Sequence, residues 1–264
     1  MSTPMNNSLP WPTAAEVLPL ATVRPVLDRL SSLVNTHEQD ASLILGLAVT
    51  EEEVAADPPP ALEQLGDELG GIQVRGQTML TLQIEDRTDV GPYTLLGDAT
   101  TFYPLYETPD SAVVLALDED GAPGAVYGIG EDLALRLAAP DLPAYLDRFA
   151  GALEATLSAL AARGPAAEDV EDARTEAAEQ LMDRYLFTEL LGMDEEAEET
   201  DVPLQDPAAS GLADLPAGTL AVADLRTAPL GARVDLMEVD VPGDPLEMHL
   251  AWREHGLVIA LLGG

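Results

Sequence analysis

Apolar residues recur at helical spacing over Val23, Val26, Leu27, Leu30, Leu33 and Val34, which predicts an amphipathic helix. Thr22 stands where its N-cap belongs, and Pro25 then falls in the first turn, where a missing N–H breaks no hydrogen bond. Thr50-Glu51-Glu52-Glu53 reads as a capping box for a short helix that Pro58-Pro59-Pro60 ends. A second helix is expected over 61–69, closed by Gly70-Gly71, which accept positive φ. From Thr78 the pattern changes to short strand-like runs with turn residues between them: 78–84, 93–96, 100–106, 112–117 and 125–129. The last two flank Asp118-Glu119-Asp120-Gly121-Ala122-Pro123-Gly124, a hairpin connection.

Helical spacing returns after Asp141, which caps a long helix with Pro143 in its first turn. Leu142, Tyr145, Leu146, Phe149, Leu153, Leu157 and Leu160 form its stripe, and Gly164-Pro165 stops it. A further helix spans about 168–191. The C-terminal part reads as a β meander of 220–225, 233–240, 246–253 and 256–262. In its third strand Leu246, Met248, Leu250 and Trp252 alternate with Glu247, His249, Ala251 and Arg253, so one face needs cover. That cover is either the main domain or a second copy in a homodimer.

The expected class is α+β: a mixed or antiparallel sheet packed with helices, then a helical segment, an acidic linker and a small meander. The divisions are an arm over 1–19, an α+β domain over 20–164, a helix over 165–192, a linker over 193–216 and the meander over 217–264. The linker rests on charge. Residues 165–210 hold fifteen acids and two arginines, and Asp194 to Asp201 is almost free of apolar residues.

Charge changes the picture most. Acids outnumber bases 48 to 12, for a net charge of −36, and every one of the twelve cations is arginine. Hydrophobic content is 47%, enough for a packed core, so this is not a solvated acidic tail. Such a chain repels phosphate backbones and anionic membranes, which argues against direct nucleic-acid or membrane binding. The absence of cysteine excludes disulfides, thiolate nucleophiles and zinc–thiolate or iron–sulfur sites. Residues 1–19 show no signal-peptide pattern, and the longest apolar run, 256–262, is too short for a membrane helix. A cytoplasmic protein is expected.

Candidate chemistry is sparse. His249 and His255 with Glu247 or Glu254 match no metal spacing, and Asp118-Glu119-Asp120-Gly121 lacks the distal glutamate of a calcium loop because Ile129 occupies that place. No G-x-S-x-G elbow or Walker loop is present, and Gly128-Ile129-Gly130 lacks the third glycine of a dinucleotide loop. No cofactor is expected.

The stretch 47–160 resembles the SUKH superfamily, which includes bacterial toxin-immunity proteins and a fungal regulator of cell-wall synthesis. Three segments carry the resemblance: GLAVTEEEVAADPPPALEQLGDELGGIQVRG, TTFYPLYETPDSAVVLALDEDGAPGAVYGIGE and APDLPAYLDRFAGAL. They look like the family's opening helices and glycine pair, its hairpin with an aromatic-rich strand before an acidic turn, and the short helix that ends its fold. The family's aromatic after the second helix is missing beside Gly70-Gly71. The resemblance implies a mixed α+β core without catalytic machinery that binds a protein partner.

The expected function is therefore a non-enzymatic module of immunity or adaptor type for a basic protein partner. Its candidate contact residues are Asp118, Glu119, Asp120, Asp194, Glu195, Glu196, Glu198 and Glu199, with Tyr103 and Tyr106 as an aromatic centre. Two alternatives stay open: an acidic nucleic-acid mimic or chaperone for a DNA-binding protein, and a carboxylate- or metal-dependent hydrolase.

Overall fold

The computed structural model describes residues 17–49, 58–83, 101–108, 111–163, 171–182, 184–185, 200–237 and 248–262. Among these lie four α-helices: α1 (Leu20–Thr36), α2 (Glu63–Glu68), α3 (Leu142–Ala162) and α4 (Glu171–Met182). The strands are β1 (Ala41–Leu45), β2 (Leu69–Val74), β3 (Gln77–Thr81), β4 (Phe102–Glu107), β5 (Ala112–Leu117), β6 (Pro123–Ile129) and β7 (Ala134–Ala139). They continue with β8 (Thr219–Asp224), β9 (Arg233–Asp235), β10 (Met248–Arg253) and β11 (Leu257–Leu262). Three antiparallel sheets result, ordered β1-β2-β3, β4-β5-β6-β7-β9 and β10-β11-β8. The protein is α+β, as its pattern predicts.

The five-stranded sheet is the middle layer. On one face Tyr103, Leu105, Val113, Leu115, Val126 and Ala138 join β2, β3 and the apolar stripes of α1, α3 and α4 in one core. On the other face Phe102, Val114, Ala116, Tyr127, Leu135 and Leu137 pack against Ala221, Ala223, Leu250, Trp252, Val258 and Ala260 of the C-terminal sheet. Cover on both faces explains why every residue of β5 and β7 is buried, why β5 is apolar without alternation, and why the one charge in β7, Arg136, is paired with Asp132.

Helix α3 forms as its sequence predicts. The Asp141 side chain accepts from Ala144 N–H at 2.7 Å, Pro143 sits in the first turn, and the whole predicted stripe is buried. Helix α1 starts earlier than expected. It begins at Leu20 with Pro19 in the cap position, and Thr22 donates its hydroxyl to Pro19 C=O at 2.7 Å instead of capping. Pro25 therefore lies in the second turn, where it deletes the bond to Ala21 C=O. The predicted arm is tied down at its end, since Leu18 N–H donates to Ala61 C=O at 2.9 Å.

Gly70-Gly71 do not cap a helix; they lie inside β2. A Cβ on Gly70 would stand 2.3 Å from Leu45 O, and one on Gly71 2.2 Å from Leu80 O. These glycines let neighbouring strands approach, which sequence cannot separate from a helix stop. Strands β1, β2 and β7 were not foreseen, because none shows alternation. The helix predicted after Thr50, the strand over 93–96 and the tract 193–199 lie outside the described residues.

The C-terminal strands do not follow one another in one sheet. β9 leaves to pair with β7 at the edge of the middle sheet, and the other three form their own sheet in the order β10-β11-β8. Residues 200–216, expected as linker, run along both sheets. Arg233 N–H donates to Thr200 C=O, Val202 N–H to Arg233 C=O, and Gln205 and Val222 exchange a pair of backbone bonds. Among the described residues no helix is long and apolar enough to cross a membrane.

Candidate functional site

The acidic hairpin end between β5 and β6 is built by its own side chains. Gly121 takes φ 73°, its N–H donates to Asp118 C=O at 2.8 Å, and Asp118 N–H donates to Ala122 C=O at 2.9 Å. Asp120 Oδ1 accepts from Ala122 N–H at 3.1 Å, an Asx turn that fixes the connection. Glu119 receives Arg253 Nε at 2.7 Å, and Arg253 Nη1 also donates to Asp214 C=O at 2.7 Å. The hairpin is thereby clasped to the β10–β11 turn. Next to it Arg226 pairs with both Asp224 and Glu254.

Beneath this surface Asp118 is half-buried, and its Oδ1 has no hydrogen-bond partner among the described residues. Gly124 lies against it, where a Cβ would stand 3.3 Å from that oxygen. Burial pushes the Asp118 carboxyl above the ordinary carboxylate range, against the opposing pull of the His255 charge and amide. Tyr127 stacks on Trp252 with ring centroids 4.8 Å apart and planes at 21°. Its hydroxyl is pushed upward by burial and, more weakly, by the Asp118 charge. The Trp252 Nε1 atom and the Tyr127 hydroxyl are likewise buried without a partner among the described residues.

The structure therefore distributes the predicted contact residues over different roles. Asp118 is part of a sheet–sheet seam, Glu119 is ion-paired, and Asp120 shapes the turn. Only Glu119 and Asp120 of these three are exposed. Tyr103 and Tyr106 are 1% and 8% exposed in the helix-side core, so they form no surface aromatic centre. Both lie in β4, Tyr103 after Phe102 and Tyr106 between Leu105 and the exposed Glu107, and their burial follows from the helix layer above that face. Asp194, Glu195, Glu196, Glu198 and Glu199 lie outside the described residues.

A second polar locus has no sequence signal at all. Asp40, 5% exposed, accepts from Arg174 Nε at 2.9 Å and Nη2 at 2.6 Å, and from Arg75 Nη1 at 3.3 Å. The Arg174 guanidinium first, and Arg75 after it, hold this carboxyl below the ordinary range despite its burial. Arg174 and Asp40 also line a cavity of about 350 Å³ at the C-terminus of α1, with Asn35, His37, Glu38 and Ala161. The pairing joins residues 134 positions apart, so periodicity cannot reveal it.

Ion pairing of this kind is general. Among the described residues Arg24, Arg29, Arg75, Arg136, Arg174, Arg226, Arg233 and Arg253 bind the chain's own carboxylates. Among the described residues no group of three histidine, aspartate or glutamate side chains is arranged to hold a metal ion. Comparison with protein-family models, with curated proteins and with solved structures finds no match for this chain.

Proposed function

We propose that this protein is a non-enzymatic acidic binding module, of immunity or adaptor type, whose partner is a basic protein. The observation that carries the reading is the disposition of charge: eight arginines among the described residues are held by internal carboxylates, in a chain whose acids exceed its bases by 36. Such a field accelerates encounter with a basic surface and disfavours nucleic acid and anionic membranes. A relationship of residues 47–160 to the SUKH superfamily belongs to the same proposal. It is supported by the β5–β6 hairpin with its acidic end. A cytoplasmic location for the protein is part of the reading as well.

The test is capture of partners by the tagged full chain from native lysate at about 0.05 M and about 0.5 M salt. The Debye length falls from about 10 Å at 0.1 M to about 3 Å at 1 M, so long-range attraction and packed contact separate. One basic protein retained at the higher salt is expected. Several unrelated basic proteins, all lost at the higher salt, would move the assignment to an acidic mimic or chaperone. No capture at either salt would remove the reading.

A further inference from the structure

Among the described residues strand β1 ends its sheet, pairing with β2 on one side only. The bond from Arg75 N–H to Asp40 C=O sets the phase of that pairing. Ser42 and Ile44 then turn their backbone toward β2, while the N–H and C=O of Leu43 turn outward. Natural edges are usually blunted by charge or proline. The β1 sequence Ala-Ser-Leu-Ile-Leu contains neither. Instead Leu45 is 61% exposed and, four residues on, Val49 is 65% exposed. They are the two most exposed large hydrophobic residues among those described, and they sit at the same end of the strand.

The surroundings define what fits there. Leu47 N–H and Ala48 N–H donate to Gly66 and Asp67 C=O, which brings the exposed Asp67 and Glu68 to this end of β1. Glu38 is exposed at the other end. Arg24 and Glu68 neutralise each other, as do Arg75 and Asp40, which leaves Asp67 at one end of β1 and Glu38 at the other as the open charges. An open backbone edge, two open aliphatic side chains and a carboxylate at each end call for an extended segment that alternates apolar and basic residues.

We propose that the β1 edge is the docking strand for an extended basic-apolar segment of the protein partner, which adds to the sheet beside Leu43 and covers Leu45 and Val49. This rests on the reading of the chain as a module for a basic protein and names the surface used.

The probe is a blocked nine-residue peptide of alternating lysine and valine, titrated into the full-length protein. Its control is the same peptide with the backbone amides of one edge N-methylated, which keeps charge and removes strand pairing. The parent peptide is expected to bind and to slow amide exchange at Leu43, and the methylated peptide to lose that protection. The paired substitution Leu45→Glu and Val49→Glu, at exposed positions that leave the core intact, should weaken binding about tenfold by removing the apolar contact. Non-specific charge attraction predicts the reverse, because two carboxylates are added. Tighter binding by that variant, equal binding of the methylated peptide, or protection elsewhere on the chain would each overturn the proposal. So would a peptide-free dimer, seen by sedimentation, that the same variant dissociates, because a second copy would then own the edge. Salt-resistant capture from lysate without peptide binding at β1 removes this docking strand and leaves the module reading standing. Peptide binding at β1 without any lysate partner supports the edge and removes the adaptor reading.

Discussion

Asp118 and Asp40 are carboxylates taken out of water in opposite company, and their effects on stability have opposite signs. Asp40 gains two guanidinium partners, so its folded pKa lies below its unfolded value. Its contribution is present above the unfolded carboxylate range and disappears as pH falls through the lowered value. Replacing it removes the carboxylate that Arg75 and Arg174 share in a buried place. Asp40→Asn is expected to cost about 3–5 kcal/mol in urea unfolding at pH 7, and a loss below about 1 kcal/mol would show that the cluster is wetter than its burial indicates. Asp118 has lost water and gained no full partner, so its folded pKa lies above its unfolded value. The protonated form stabilises the fold below the unfolded pKa, and that contribution is lost as pH rises through the folded one. Asp118→Asn should therefore raise the melting temperature at pH 7, with the difference closing near pH 3. Identical melting curves at pH 7 would contradict the burial argument. Neither role is visible in the sequence, where both residues look like ordinary turn acids.

At the scale of elements, legibility follows how local the determinants are. Helix α3 carries its cap, its first-turn proline and its stripe within one segment, so all three were readable. Asp141→Ala should cost about 1 kcal/mol by removing the bond to Ala144 N–H. Gly151→Ala in the same helix meets no atom within 4 Å and should stabilise by about 1 kcal/mol. Chemical denaturation of the two single variants checks both signs in one experiment. The hairpin of β5 and β6 was readable for the same reason, since Asp120 and Gly121 form the turn themselves. β2 was not. Its Gly70-Gly71 serve a close approach to Leu45 and Leu80, and that need exists only once β1 and β3 flank them. The strand containing Trp252 lies between these cases. Alternation showed which side was buried, with Leu250 and Trp252 1% and 2% exposed, but not what covers it.

For the whole molecule the middle sheet is decisive, because one face is covered by helices that precede and follow it in the sequence and the other by the C-terminal strands. The C-terminal strands are part of the same packed body, with β9 at the edge of the middle sheet and the other three across its face. Ending the chain at residue 216 would bare Val114, Ala116, Tyr127, Leu135 and Leu137 to water. Calorimetry of the full chain is expected to show one cooperative transition, and the truncated chain none. A truncated chain that still unfolds cooperatively would establish the last 48 residues as a separable unit.

What the sequence by itself determined is the α+β class, the stripes of α1 and α3, the acidic hairpin end and the large negative charge, since each depends on near neighbours or on composition. Tertiary structure alone decided the order of strands, the place of β9, the two-sided burial of the middle sheet and the Asp40 cluster. It also decided the fate of the candidate residues, burying Tyr103 and Tyr106 and drawing Glu119 into a clasp with Arg253. The physical reason is common to all of these. A periodic pattern states that a face must leave water, but the surface that covers it is selected by packing among distant segments.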